Sequence, residues 1–146
     1  MKTITICSSA SFYEQAVKVQ YEVRNLGFEC VIPANAEKMK ELNDFDVSHY
    51  KTWAKDSDDY SKKTKLMTEH FLAISKGDAI LVLNYEKHGV SNYIGGNVLI
   101  EMGIALYLNK AIFILNEVPK DSSFLEEILG VNPILLHGNI NNLSLS

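Results

Sequence analysis

The sequence predicts an α/β fold of three layers, in which helices cover both faces of a parallel sheet. Short apolar stretches of strand length alternate along the chain with longer stretches of helical periodicity, which is the order expected of βαβ units. The stretch DAILVL is apolar at every position after its first, as is typical of a central parallel strand. The predicted strands are Lys2–Cys7, Phe28–Ile32, Asp78–Leu83, Ala111–Leu115 and Pro133–Leu136.

Length and charge narrow the possible functions. With 146 residues, of which 47% are hydrophobic, we expect a single domain spanning residues 1–146. The 14 basic residues are outnumbered by 18 acidic ones, and Arg24 is the only arginine, so we expect no binding to nucleic acid polymers. No apolar run reaches membrane-spanning length, so we predict a soluble, cytoplasmic protein. Cys7 and Cys30 are predicted to be reduced, inert core residues.

The first strand and helix have clear boundary signals. The small-residue turn Ser8-Ser9-Ala10 follows the first strand, and Ser11 with Glu14 has the spacing of a capping box. Gly27 ends the predicted helix, and Pro33 ends the second strand.

The segment from about residue 36 to 65 is polar but contains several aromatic residues, among them Trp53. We favour one or two short, solvated helices here, with a mobile lid over a ligand as the alternative. A second major helix is predicted over Lys62–Lys76, and its periodicity directs His70 toward the core and the sheet edge.

A long polar loop, Asn84–Gly96, leads into the most unusual helix of the sequence. The stretch Gly95–Leu108 (GGNVLIEMGIALYL) predicts a helix with Asn97 as N-cap, apolar on every face except at Glu101. A helix of this composition is expected to be buried, and burying a carboxylate costs on the order of a few kcal/mol unless it is paired or neutral. Glu101 therefore indicates a functional site. A short helix, Ser122–Leu129, precedes the last strand.

We predict the strand order 2-1-3-4-5, which makes the fold flavodoxin/Rossmann-like. The topological switch then lies between the first and third strands, so a ligand crevice is expected beyond their carboxyl ends. The P-loop, dinucleotide-binding, G-x-S-x-G and metal-ligand patterns are all absent from the sequence. We therefore predict neither a metal nor an organic cofactor.

The predicted crevice brings together a distinct set of polar residues. A partly desolvated carboxylate such as Glu101 suits a covalent nucleophile toward a sugar carbon, or a general acid/base. Glycosyl chemistry generally needs a second acid or base, for which His70 and Tyr13 are the candidates. The candidate substrate-binding residues are Ser8, Ser9, Asn84, Tyr85, Gly95, Gly96 and Asn97.

The run DAILVL, followed by a loop and then by Glu101-Met102-Gly103-Ile104-Ala105, resembles the nucleoside 2-deoxyribosyltransferase superfamily. That superfamily includes the 2′-deoxynucleoside 5′-phosphate N-hydrolases and has Glu-x-Gly-x-Ala on the corresponding helix. The resemblance implies that Glu101 attacks the anomeric carbon and releases the base. It also implies that Ser8 and Ser9 hold the sugar or its 5′ substituent, and that a neighbouring subunit completes each site.

The sequence departs from the superfamily at three places. His70 stands where an Asp is common, Asn97 stands where a Gly is usual, and the loop Tyr85–Gly96 is longer. This loop, with its own Y-I-G-G-N signature, resembles that of a branch of small bacterial and archaeal proteins. The resemblance covers most of the chain except residues 36–65.

We therefore predict an N-glycoside-cleaving enzyme, a hydrolase or deoxyribosyltransferase, that acts on a nucleoside or nucleoside 5′-monophosphate. The alternative is a non-catalytic nucleotide-binding sensor in which Glu101 accepts hydrogen bonds from ribose hydroxyls. A third possibility is an interaction protein with a vestigial pocket. The apolar excess of the helices favours a homodimer or a larger homo-oligomer.

Overall fold

The computed structural model describes residues 1–146 and has one sheet of five parallel strands in the order β2-β1-β3-β4-β5. Both the α/β class and the strand order are therefore as predicted. The strands are β1 (Thr3–Ser8), β2 (Glu29–Val31), β3 (Ala79–Leu83), β4 (Ala111–Ile114) and β5 (Ile134–Leu135). The helices are α1 (Tyr13–Asn25), α2 (Ala34–Leu42), α3 (Tyr60–Lys76), α4 (Gly96–Tyr107) and α5 (Leu125–Gly130). No helix combines the length and the apolar character that crossing a membrane requires.

Each face of the sheet has its own apolar core. Because successive side chains of a strand point to opposite faces, Leu81 and Leu83 pack with α1 on one side, whereas Ile80 and Val82 pack with α3, α4 and α5 on the other. All five residues of β3 are buried, as expected of a strand covered on both faces.

The register of β1 and β3 positions the site. Cys7 pairs with Val82 and Ser8 pairs with Leu83, so the two strands end at the same level. The chain turns from β1 into α1 on one face, and from β3 toward α4 on the other face. The connections therefore diverge at this edge and leave a crevice between them.

The start of α1 differs from the prediction. Ser9, rather than Ser11, accepts a hydrogen bond at the turn, from the backbone N–H of Ser11 at 3.4 Å. A 3₁₀ turn over Ala10–Phe12 then precedes α1, which begins at Tyr13. The predicted capping box of Ser11 and Glu14 is wrong, because the tighter turn moves the start of the α-helix past Ser11.

The start and the burial of α4 also differ from the prediction. Gly95 is the N-cap, without a side-chain hydrogen bond, and Asn97 lies inside the first turn, where its side chain contacts Glu101 instead. The helix is not buried on every side, because its outer face leaves Leu106 51% and Tyr107 86% exposed. Glu101 lies on the inner face and is only 3% exposed.

The polar segment between β2 and α3 is only partly the solvated helix that we favoured. Its first part, α2, packs on α1 and buries Met39. Its second part contains three 3₁₀ turns, Val47–His49, Thr52–Ala54 and Ser57–Asp59. Trp53 in the middle turn is 8% exposed, so the interpretation as a solvated segment is wrong at this residue, which lines a cavity.

Candidate active site

A cavity of about 420 Å³ lies at the edge of the sheet where β1 and β3 end. Its floor is formed by the end of β1, the middle of α3 and the first turns of α4. Its mouth is formed by the 3₁₀ turns after α2 and by the loop before α4. Its polar and aromatic lining includes the side chains of Ser8, Ser9, Tyr13, Lys51, Trp53, Lys63, His70, Lys87, Tyr93, Asn97 and Glu101.

The Glu101 carboxyl group lies at the floor, and its two oxygens have different surroundings. Oε1 accepts a hydrogen bond from the Asn97 Nδ2 at 3.0 Å, whereas Oε2 is buried and accepts none. Burial raises the pKa of Glu101 to about 8, against the contacts with Cys7 and Lys63 that favour the ionised form. Glu101 is therefore mostly protonated near neutral pH and carries one buried oxygen without a hydrogen-bond partner.

The His70 imidazole points inward from α3, as its periodicity predicted, and lies beside this carboxyl group. Its Nε2 is 3.0 Å from the Ile6 carbonyl oxygen, which can only accept, so Nε2 carries the hydrogen. The Glu101 Oε2 lies 3.1 Å from the same nitrogen but outside the direction of that N–H. Burial lowers the pKa of His70 to about 4, opposed by the bond to Ile6. His70 is thus a neutral group that is held by the backbone of β1 and lies against the Glu101 carboxyl group.

Cys7 does not line the cavity, but it lies fully buried directly behind the floor, in contact with His70. Its Sγ lies 3.6 Å from the His70 Nε2. Burial raises the pKa of Cys7 well above its ordinary value, and the neighbouring Glu101 raises it further, so the thiol stays protonated. The predicted lack of reactivity agrees with this pKa, but the position at the site was missed. The signal was present, because Cys7 lies directly before the Ser8-Ser9 turn at the end of a strand.

Cys7, His70 and Glu101 could together contact one metal ion. One potential ligand atom of each lies within 4.8 Å of the other two. The sequence spacing could not reveal this group, because the three residues come from three separate elements. The His70 Nε2 is engaged as a donor to Ile6, however, so coordination would require that hydrogen bond to break and the proton to leave.

Tyr13 lies at the start of α1 and lines the cavity. Its pKa is raised by burial, and further by Glu101 and Cys7. The phenol therefore stays protonated throughout the physiological range and can donate a hydrogen bond to a ligand.

The candidate binding residues fall into two groups. Ser8, Ser9, Gly95, Gly96 and Asn97 all line the cavity.

Asn84 and Tyr85 do not reach the cavity. Asn84 is fully buried below the loop, where it donates to the Glu117 carbonyl at 2.8 Å and accepts from the Asn116 N–H at 2.9 Å. The Tyr85 ring packs edge-to-face on Phe12 at 5.3 Å between centroids. Both side chains stabilise the turn after β3 rather than a ligand.

Two lysines from distant parts of the chain are fixed at the cavity mouth. The Lys63 Nζ donates to the Asn97 Oδ1 at 3.1 Å and lies 5.5 Å from the centre of the Trp53 ring. The Lys87 Nζ donates to the Ser9 Oγ at 3.0 Å and lies 4.8 Å from the centre of the Tyr93 ring. The pKa of each lysine is lowered, by burial first and by the nearby Lys51 second.

No protein-family model matches this chain, and no curated protein matches it. Function must therefore be inferred from the residues of the cavity and from the motif on α4.

The arrangement supports two kinds of chemistry. A buried carboxyl group with a free oxygen can attack an electrophilic carbon once it ionises, or it can bind a ligand hydroxyl while it stays protonated. The cationic mouth favours ligands that carry a negative charge away from the reacting atoms.

Proposed function

We propose that the protein cleaves the N-glycosidic bond of a nucleoside or nucleoside 5′-monophosphate, with Glu101 as the nucleophile. The observation that carries this proposal is the Glu101 Oε2, which is buried at the floor of a cavity and accepts no hydrogen bond. An unsatisfied acceptor of this kind destabilises the fold by about 1–3 kcal/mol, which favours a functional reason for its presence. A carboxyl group with a strongly raised pKa in a cleft is also typical of catalytic sites.

The reaction follows two displacement steps. The ionised Oε2 attacks the anomeric carbon C1′ and forms an ester bond to it. The C1′–N bond breaks, and its electron pair goes to the base nitrogen, which takes up a proton from water as the base leaves. A water molecule then attacks C1′, the ester bond breaks, and the carboxylate is restored as the water loses a proton. In a transferase, a second base replaces the water.

The neighbouring residues have separate roles in this proposal. Asn97 holds Oε1 and so directs Oε2, and we assign it as a positioning residue. His70 is neutral and fixed to the backbone of β1, which suits it to orient the floor rather than to donate a proton. Tyr13 keeps its proton and is our candidate for a hydrogen bond to the substrate.

The resemblance of the α4 motif to the nucleoside 2-deoxyribosyltransferase superfamily supports the same role for Glu101. We also infer that the chain self-associates, because the outer face of α4 exposes the large apolar side chains of Ile100, Leu106 and Tyr107. Sedimentation of the purified protein would test this, and a monomer across the working concentration range would contradict it.

The second candidate function is a nucleotide-binding sensor without turnover. It is favoured by the protonated state of Glu101 near neutral pH, because a neutral carboxyl group donates and accepts hydrogen bonds with sugar hydroxyls. In that case the cavity binds a ligand but breaks no bond.

Release of free base distinguishes the two functions. We would incubate wild type and Glu101→Gln with ribo- and deoxyribonucleosides and their 5′-monophosphates, at equal concentrations of folded protein. The enzyme proposal expects base release by wild type that falls by at least about a thousandfold in the variant. Glu126→Gln, which changes an exposed carboxylate on α5, is the matched control. Saturable binding without base release by any protein would contradict the enzyme and favour the sensor.

A further inference from the structure

Three lysines, Lys51, Lys63 and Lys87, line one cavity without any carboxylate partner. None of them takes part in an ion pair of the structure. They come from three separate regions: the position between two 3₁₀ turns after α2, the first turn of α3, and the loop before α4. Cations gathered from such distant positions repel one another, so their convergence on a shared space calls for an anion that offsets the repulsion.

Other lysines on α3 behave differently. Lys62 pairs with Asp59 at 3.3 Å, and Lys65 approaches Glu69 to 3.9 Å. Both lysines are more than half exposed and do not line the cavity. The carboxylates of this region therefore pair with the outer lysines and leave Lys63 without one.

Neutral groups hold two of the three ammonium groups in place. Lys63 donates to the Asn97 amide oxygen, and Lys87 donates to the Ser9 hydroxyl. Each bond uses one of the three donors of an ammonium group and leaves its charge uncompensated. The aromatic rings of Trp53 and Tyr93 further restrict the two side chains.

The cavity as a whole is positive. Glu69 and Glu101 are its only acidic lining residues. Glu69 lies beside Lys65, and Glu101 is mostly protonated near neutral pH because burial raises its pKa. The lysine charges at the mouth are thus not balanced from within the cavity.

We propose that Lys51, Lys63 and Lys87 form an anion subsite that binds the phosphate of a phosphorylated ligand at the cavity mouth. Combined with the proposed function, on which this step rests, the substrate is a nucleoside 5′-monophosphate and not a free nucleoside. Lysines bind phosphate as point charges, so the scarcity of arginine does not prevent such binding. The Asn97 side chain links the subsite to the carboxyl group, since it accepts from Lys63 and donates to the Glu101 Oε1, and all three residues line the same cavity.

Calorimetric titration of the inactive Glu101→Gln protein tests the subsite without turnover. The ligands are the 2′-deoxynucleoside 5′-monophosphates, the parent nucleosides, and inorganic phosphate as a competitor. The monophosphate is expected to bind about tenfold or more tightly than its nucleoside, and this advantage should shrink as salt is added. Inorganic phosphate should weaken binding of the monophosphate but not of the nucleoside.

Two further substitutions, each combined with Glu101→Gln, test which lysines bind the phosphate. Lys51→Gln and Lys87→Gln are each expected to remove most of the advantage of the monophosphate and to leave nucleoside binding unchanged. Lys55→Gln, an exposed lysine on the same polar segment that does not line the cavity, is the matched control and should change neither affinity. Circular dichroism of each variant establishes that it is folded.

The outcomes separate the subsite from the enzyme. Equal binding of nucleoside and monophosphate, no binding of either, or an advantage that survives both lysine substitutions would overturn the subsite. Lysine-dependent binding of the monophosphate together with no base release by wild type would support the subsite and overturn the enzyme. Base release from nucleosides in preference to monophosphates would support the enzyme and overturn the subsite.

Discussion

The floor and the mouth of the cavity differ in the charge of their ionisable groups. At the floor, His70 and Glu101 are ionisable groups that burial keeps uncharged near neutral pH, and the buried Cys7 thiol behind them also stays protonated. At the mouth, Lys63 and Lys87 remain ionised although burial and a third lysine lower the pKa of each. The carboxyl group at the floor is therefore uncharged until it loses its proton, whereas the lysines at the mouth carry a positive charge throughout.

This difference in charge suits the floor to the proposed reaction and the mouth to ligand binding. A carboxyl group held neutral in a dry environment becomes a strong nucleophile when it ionises, because few groups solvate it. Permanent cations at a distance from it can hold a ligand without contacting the bond that breaks.

The free energy of unfolding should show how much the burial of Glu101 destabilises the fold when this group ionises. The pKa of Glu101 is raised in the folded state from 4.5 to about 8, so its contribution to stability is fully present below pH 4.5 and is lost as the pH rises toward 8. Glu101→Gln cannot ionise, so we expect it to exceed wild type by about 2–4 kcal/mol in free energy of unfolding at pH 8. Urea denaturation of both proteins at several pH values measures this difference.

At pH 5 the two proteins should differ by less than about 1 kcal/mol, since Glu101 is then protonated when folded. His70, whose pKa is lowered to about 4, destabilises the fold as the pH falls below 6.5, but it does so in both proteins and cancels in the comparison. A variant less stable than wild type at pH 8 would contradict a suppressed charge at the floor.

Catalysis should follow the same ionisation. Only the carboxylate form of Glu101 can attack, so kcat/KM for base release should rise by about fiftyfold between pH 6 and pH 8 and then level off. Initial rates at low substrate concentration measure it. A rate that stays constant from pH 6 to 8, or that declines, would mean that Glu101 is already ionised or is not the nucleophile.

Asn97→Ala removes the hydrogen bond that the Glu101 Oε1 accepts from the Asn97 amide. Without this donor the ionised form is less favoured, so the midpoint of the pH profile should rise by about one pH unit and kcat/KM at pH 7 should fall about tenfold. Asn25→Ala, at the exposed end of α1, is the control. A lower rate with an unmoved midpoint would show that Asn97 does not act on the Glu101 carboxyl group.

Cys7→Ala should have the smallest effect. The thiol is protonated and takes no part in the proposed displacement, so we expect base release within about threefold of wild type. Steady-state assays with the monophosphate substrate measure it. A loss of a hundredfold or more in a folded variant would indicate that the thiol, or a metal held by it, takes part in the reaction.

Much of the floor could be predicted from sequence, because its signals are local. The periodicity of α3 directs His70 inward, and the single carboxylate among the apolar residues of α4 identifies Glu101. The strand order followed from the alternation of strands and helices, and it brought Ser8, Ser9 and the loop before α4 to one edge of the sheet.

The mouth could not be predicted in this way. Trp53 lies in a short 3₁₀ turn and Lys51 directly precedes that turn, where no periodic pattern exists, and such a polar, lysine-rich segment resembles any solvated surface. Lys87 lies in a loop whose path depends on long-range contacts. Asn84 was misplaced for a similar reason, since a polar residue after a strand can turn inward to bond the backbone as readily as it can face a ligand.

The most direct test of the central claim is to trap the ester on Glu101. The wild-type protein would be quenched in acid during turnover of a 2′-deoxynucleoside 5′-monophosphate and then digested. The masses of its peptides would be measured by mass spectrometry. We expect the peptide containing Glu101 to gain the mass of a deoxyribosyl 5-phosphate group, and the corresponding peptide of Glu101→Gln to gain nothing. Base release without any adduct on Glu101, accompanied by a sugar product of inverted configuration at C1′, would contradict the account.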